Sequence, residues 1–344
     1  MKEKKVFIFC YDNCVTGGPE ALHQLRYYME QQGIDASMVY LDRSTEDAIV
    51  PDRYLQYFPN GLKYIGEKNY HDDKTNLIIM PEAVSFRLFR YPRSSKAIWF
   101  LGVWAHDGAR VFFDPAICKT AFGRLYKKIK VKLTNTLNSV KCWYLYKVKK
   151  AKNYCGSKYA YEYLTDVRKQ KAHYLVEPIS LDFLHAGGVF DFSMTGDRDD
   201  CVLYNPSKPS ELMKQLLDRN RFHYVPLSGY TPSELIVLYR KSKLYVDFGG
   251  FPGPERIPKE TVYNGCNIIV GKKNAAENDF DVAIPEEYKL SDPTAEEVEY
   301  KISEMLEQYE NRFYDFGSFR KKIDNLEANF IEEIKLYFSE YISQ

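Results

Sequence analysis

The chain has 344 residues, 45% of them apolar, which is enough for two domains that each bury a core and too much for one small module. Its 48 basic and 47 acidic residues leave a net charge of +1, so a binder that works through overall charge is excluded and a charged partner has to meet a local patch.

In chain order, the run Lys5-Val6-Phe7-Ile8-Phe9-Cys10 predicts a short buried strand, and DNCVTGGPE follows as a loop. A helix is expected over 19–32: Pro19 suits a first turn, Leu22, Leu25, Tyr28 and Met29 fall at helical spacing, and Gly33 suits the stop. A strand over 36–41 completes a βαβ unit. Further strands are expected at 76–80, 97–101, 151–155 and 172–176, with helical stretches between several of them. After Glu177-Pro178 the stretch LHAGGVFDFSMTGDRDD mixes glycines and acids without a period, as a linker does. The pattern then restarts, with strands at 201–204, 222–226, 244–248 and 266–270, and helices near 209–218, over 231–241, and ending near Gly265. The tail from Thr294 is charged and helical in period.

This order predicts an α/β protein with two Rossmann-like, doubly wound domains facing a cleft: 1–185, then 186–320, with the helical end 321–344 crossing back onto the first domain. Seven scattered cysteines without a Cys-x-x-Cys pair, and no histidine pair at ligand spacing, support neither a disulfide framework nor a zinc site. No run of 18 apolar residues is present, and MKEKKVFIFCYDNC lacks the apolar core and cleavage site of a secretion signal, so a cytoplasmic location is expected.

Several loops suit an anion. In TGGPEAL, Gly17 and Gly18 precede a helix N-terminus, where free amides and the helix dipole favour negative charge, although a tight turn explains them equally. The full dinucleotide fingerprint and the Lys-Ser/Thr of a P-loop are both missing, which weakens hydride transfer and ATP hydrolysis. YNPSKPSEL sets Asn205 and Lys208 after the first strand of the second domain, where phosphate is the natural guest of a lysine. In VPLSGYTPSEL, Ser228 and Gly229 make a turn on which a base could lie, and Thr231 with Glu234 reads as a capping box.

The stretch DFGGFPGPERIPKETVYNGC carries the most chemistry. Gly249, Gly250 and Gly253 allow close backbone approach, while Pro252, Pro254 and Pro258 hold that backbone rigid and reduce the entropy lost on binding. Arg256 suits phosphate oxygens, Glu260 a sugar diol, and Glu255 either Arg256 or the sugar. In the first domain Asp12, Glu82, and Asp107 with His106 follow strands, where a carboxylate is suited to deprotonating an acceptor hydroxyl or stabilising an oxocarbenium-like centre. His23 reads as a structural residue inside a helix.

Between Lys119 and Lys152 stand eleven basic residues and no acid, interleaved with aromatic and aliphatic side chains. Lys127, Lys128, Lys130, Lys132, Trp143, Lys147, Lys149 and Lys150 are the expected contacts of this segment with an anionic membrane. Nucleic acid is the rival partner, but no reading element for it is present.

The loop TGGPEALHQL, the stretches AIWFLGVW and VLYNPSKPSEL, and the late PKETVYNGCNIIVG resemble glycosyltransferases of the GT-B fold, in particular those of bacterial capsule and lipopolysaccharide synthesis. The resemblance implies a nucleotide-sugar donor held by the C-terminal domain and an acceptor held by the N-terminal one, with no cofactor and no metal. A UDP-sugar is the favoured donor, with GDP- and CMP-sugars as alternatives. Glu260 matches the second of two glutamates that family members separate by seven intervening residues and use for the donor ribose, and Lys208 falls where a phosphate-binding lysine is expected. Pro252 occupies the place of the first glutamate. The resemblance thus implies sugar transfer to a lipid-linked surface glycan at the inner face of the cell membrane. An epimerase of the same fold and a non-catalytic nucleotide-sugar or membrane scaffold are the alternatives.

Overall fold

The structure is a computed structural model; it describes residues 4–103, 121–147, 151–208 and 210–342. His106, Asp107, Lys149, Lys150 and Pro209 lie outside the described residues, as does the side chain of Lys147.

The chain divides into two units, the first formed by Met1–Gly156, Ala160–Leu175 and Ile331–Gln344, the second by Ser157–Tyr159 and Val176–Phe330. The first unit holds strands β1 (Lys5–Cys10), β2 (Ala36–Tyr40), β3 (Tyr64–Gly66), β4 (Asn76–Pro81), β5 (Ser95–Phe100), β6 (Lys152–Cys155) and β7 (His173–Tyr174). They form one parallel sheet in the order β3-β2-β1-β4-β5-β6-β7. Helices cover its faces, so its central strands read as continuous apolar runs; every residue of β4, NLIIMP, is buried. Helix α1 (Gly17–Gln31) buries Leu22, Leu25 and Met29, the positions at helical spacing. The three-residue β3 escapes sequence reading because it is too short to show an alternation. Helix α2 (Ala121–Lys147) lies between β5 and β6 in the chain, and α3 (Lys158–Glu162) follows β6.

The second unit holds β8 (Asp199–Tyr204), β9 (His223–Pro226), β10 (Ser242–Asp247), β11 (Asn267–Gly271) and β12 (Lys289–Leu290), paired in parallel in the order β12-β11-β10-β8-β9. Its helices are α4 (Leu181–Ala186), α5 (Glu211–Arg219), α6 (Pro232–Lys241), α7 (Arg256–Tyr263), α8 (Ala295–Glu307), α9 (Tyr309–Phe313) and α10 (Gly317–Asp324). Thr231 and Glu234 cap α6 reciprocally, as the sequence predicts. Helix α11 (Leu326–Phe338) leads into the residues that return to the first unit, where Tyr337 and Phe338 pack on Tyr154 at 5.3 and 5.2 Å.

The expected boundary near residue 185 falls ten residues earlier in the structure, at Leu175/Val176, because Ile179 and Phe183 are part of the second unit's core. The stretch 184–200 is likewise no linker. Its Val189 amide donates to the Tyr263 carbonyl at 2.9 Å, and Phe192 packs against Tyr309 and Phe313. Strand order reverses between β1 and β4 in the first unit and between β8 and β10 in the second, the positions where open parallel sheets bind ligands beyond their carboxyl ends.

Candidate active site

In the second unit the loops after β8 and β10 meet at the switch point. Lys208, from the first loop, is ion-paired with Glu255 of the second, lies 3.4 Å from the Gly250 carbonyl and stands over the Phe251 ring at 5.5 Å. Asp247, the last residue of β10 and 5% exposed, accepts the Tyr245 hydroxyl at 2.8 Å and the Gly249 amide at 2.9 Å. Burial raises the Asp247 and Glu255 carboxyls above the usual range, against the opposing pull of Lys208 on both. A Cβ at Gly249 would stand 3.0 Å from that of Lys208 and 3.1 Å from Oδ1 of Asp247, so only glycine fits this corner without a shift.

Glu255 is also the N-cap residue of α7, and its side chain makes no capping bond because it is turned to Lys208. Arg256 opens α7. Its positive charge acts on Glu177, whose carboxyl lies 3.9 Å from the Lys259 ammonium in a buried pair. Burial pushes the Glu177 carboxyl up and the Lys259 ammonium down. Glu260 is buried one turn into the helix, beside Lys259.

The other predicted donor residues hold turns. Oδ1 of Asn205 accepts the Ser207 amide at 3.0 Å, and the Ser228 amide donates to the Pro226 carbonyl at 3.0 Å. Gly229 has a φ of +80°, a conformation that calls for glycine. Gly17 and Gly18 open α1 in the first unit, with space for a Cβ at Gly18, where Leu101 is the neighbour at 3.9 Å.

At the first unit's switch point, Glu82 directly follows β4. It is 7% exposed, its Oε2 accepts the Leu101 amide at 3.0 Å, and burial pushes its carboxyl up to about 7. Tyr11, just after β1, has its hydroxyl pushed up by burial and by the Glu82 charge, which puts the two groups in one electrostatic neighbourhood. Asp12 points elsewhere: its oxygens accept from Arg43 at 2.9 Å and from the Ile49 amide at 2.8 Å, fastening a loop. His23 is enclosed as expected. The Pro19 carbonyl at 2.7 Å fixes the proton on Nδ1, the Tyr40 hydroxyl meets Nε2 at 2.8 Å, and Tyr54 stacks on the ring.

Asp247, Tyr11, Glu177 and Lys259 escape sequence reading. Asp247 had one visible signal, an acid closing an apolar strand with only Phe248 between it and two glycines. The basic segment is helical as α2. Leu125, Ile129, Leu133, Leu137, Val140 and Trp143, at spacings of four and three, form a stripe on one face, each 52–60% exposed. Lys127, Lys128, Lys130 and Lys132 are exposed beside it. Among the described residues no helix is long and apolar enough to cross a membrane.

Two doubly wound parallel sheets in one chain, each with polar groups gathered where strand order reverses, make up the GT-B fold of glycosyltransferases. Solved structures of that class match the whole chain. A TarM variant of S. aureus, in complex with fondaparinux, alpha-GlcNAc-glycerol and UDP, is 9% identical over 99% of this chain and 100% of its own, with a TM-score of 0.65. A glycosyltransferase from Rickettsia africae ESF-5 is 10% identical over 100% of both chains at 0.59, and the pneumococcal O-GlcNAc transferase GtfA, in complex with UDP and GlcNAc, is 8% identical over 100% of both at 0.58. At such identities the likeness is one of fold. No family model and no curated protein matches the chain.

Proposed function

We propose that the protein transfers a sugar from a nucleotide-sugar, a UDP-sugar by preference with GDP- and CMP-sugars as alternatives, to a hydroxyl of a lipid-linked bacterial surface glycan. The observation that carries this reading is the corner of Lys208, Gly249, Gly250 and Glu255 at the β8/β10 switch point, directly before the N-terminus of α7. Lys208, Arg256 and the first amides of α7 would neutralise charge developing on the leaving diphosphate, the work that a metal does in other enzymes. Glu260 would hold the ribose, the turn at Ser228 and Gly229 the base, and the α1 amides at Gly17 and Gly18 a further polar group of the ligands. The UDP complexes of TarM and GtfA favour a uridine donor.

Glu82 is the group proposed to take the acceptor proton, because a carboxyl that titrates near 7 is matched to that task. Asp12 is committed to its loop. The exposed apolar stripe of α2 with its lysines supports work at the inner face of the membrane, each lysine near an anionic surface contributing about 1 kcal/mol. The deciding experiment is thermal-shift and calorimetric screening of UDP, GDP and CMP and their sugars, with and without EDTA. At least one nucleotide should bind, and Lys208→Ala should weaken it by roughly 10- to 100-fold. No binding by any of them overturns the proposal.

A further inference from the structure

One cation faces two carboxylates at the second unit's switch point. Lys208 is ion-paired with Glu255 and also acts on Asp247, which the Tyr245 hydroxyl and the Gly249 amide hold in place. Lys259, from the first turn of α7, is the other cation that acts on Glu255. The corner is tightly packed at Gly249, where a Cβ would crowd both Lys208 and Asp247. The lysine best placed for a phosphate is therefore already satisfied by an anion of the protein itself.

We infer that Glu255 competes with the donor diphosphate for Lys208, and that nucleotide-sugar binding draws a proton onto the Glu255–Asp247 pair. The inference rests on the donor-site reading above. A diphosphate at Lys208 would add negative charge against two carboxylates that share one partly exposed lysine. Closely spaced acids relieve such crowding by taking up a proton, after which the carboxyl donates a hydrogen bond to a phosphate oxygen in place of repelling it. Burial has already raised both carboxyls before any ligand arrives, so the field of the ligand pushes in a direction already taken. The same arrangement gives Glu255 a second consequence: with no ligand bound, it keeps Lys208 neutralised.

The test is calorimetric titration of the full chain with UDP-glucose, UDP-N-acetylglucosamine and GDP-mannose between pH 6.5 and 8.5, in buffers of low and high ionisation heat. These ligands have no phosphate that titrates near neutrality, so a proton taken up belongs to the protein. The expected result is a buffer-dependent enthalpy that reports uptake of up to one proton, with affinity falling toward tenfold per pH unit as pH rises. Glu255→Gln should bind more tightly than the unaltered chain at pH 8 and lose most of the pH dependence; Asp247→Asn should reduce the proton uptake. Binding without proton uptake, or weaker binding by Glu255→Gln with its circular dichroism unchanged, overturns the inference and leaves the donor site standing. Failure of every nucleotide-sugar to bind overturns the donor-site reading and this inference with it.

Discussion

The Oε2 atom of Glu82 accepts the backbone amide proton of Leu101 at 3.0 Å, which fixes the carboxyl at the carboxyl ends of the adjacent strands β4 and β5. The amide lowers the carboxyl less than burial raises it, and the balance leaves it titrating at about 7. A base of this kind works only when ionised. Transfer should therefore rise with pH through about 7 and then level off, and Glu82→Gln should lose about 10²- to 10⁴-fold in rate while nucleotide affinity stays unchanged. Initial rates against pH, paired with calorimetric titration of the variant, check both parts.

The same burial makes a stability statement. The Glu82 carboxyl goes from 4.5 in its ordinary state to about 7 in the fold, so between these values the folded chain holds a proton that the unfolded chain releases. This contribution to stability is complete below 4.5 and declines as pH rises to about 7. Above that the fold buries a charge, so Glu82→Gln should be more stable than the unaltered chain at pH 8, by about 1–3 kcal/mol, while being the slower enzyme. Thermal unfolding at pH 5 and pH 8 measures the difference; equal Tm gains at both would refute it.

His23 gives the opposite slope. Burial lowers its imidazole from 6.5 to about 4, so in that window the unfolded chain binds a proton that the folded chain refuses. Its contribution is present above 6.5 and is lost as pH falls toward 4. His23→Asn should flatten the acid side of the stability curve, while lowering stability at pH 8 by about 1–3 kcal/mol through the lost bonds to Pro19 and Tyr40. Tm measured from pH 4 to 8 for both chains would reveal either change.

On α2, the exposed apolar stripe predicts binding to vesicles that contain anionic lipid, weakening with salt. The double change Ile129→Ser and Leu133→Ser should abolish sedimentation with such vesicles and leave the unfolding free energy within about 0.5 kcal/mol of the original, because both side chains face solvent. Equal binding to neutral vesicles would count against an electrostatic contribution, and dimerisation through this face would point to a second copy as its partner.

Much of the architecture was readable because its signals are local. The buried run of β4, the spacing of Leu22, Leu25 and Met29 in α1, and the reciprocal cap of Thr231 and Glu234 each involve neighbours within one or two turns. The three-residue β3 and two-residue β12 were not legible, since their pairing partners and not their own composition make them strands. In the stretch 184–200, the absence of a period was a poor guide. Val189 and Phe192 are held by Tyr263, Tyr309 and Phe313, far away in the chain.

The chain's residue order alone determined the α/β class, the restart of the strand-helix pattern and the rigid glycine-proline loop, because hydrophobic period, capping and turn chemistry act over a few residues. Only tertiary structure decided which charges matter. It set Lys208 against Glu255 and Asp247, enclosed Glu82 beside the Leu101 amide, and spent Asp12 on Arg43. Ion pairing and desolvation depend on which strand ends the crossovers bring together and how much water they remove, and neither quantity is written in any short stretch of sequence.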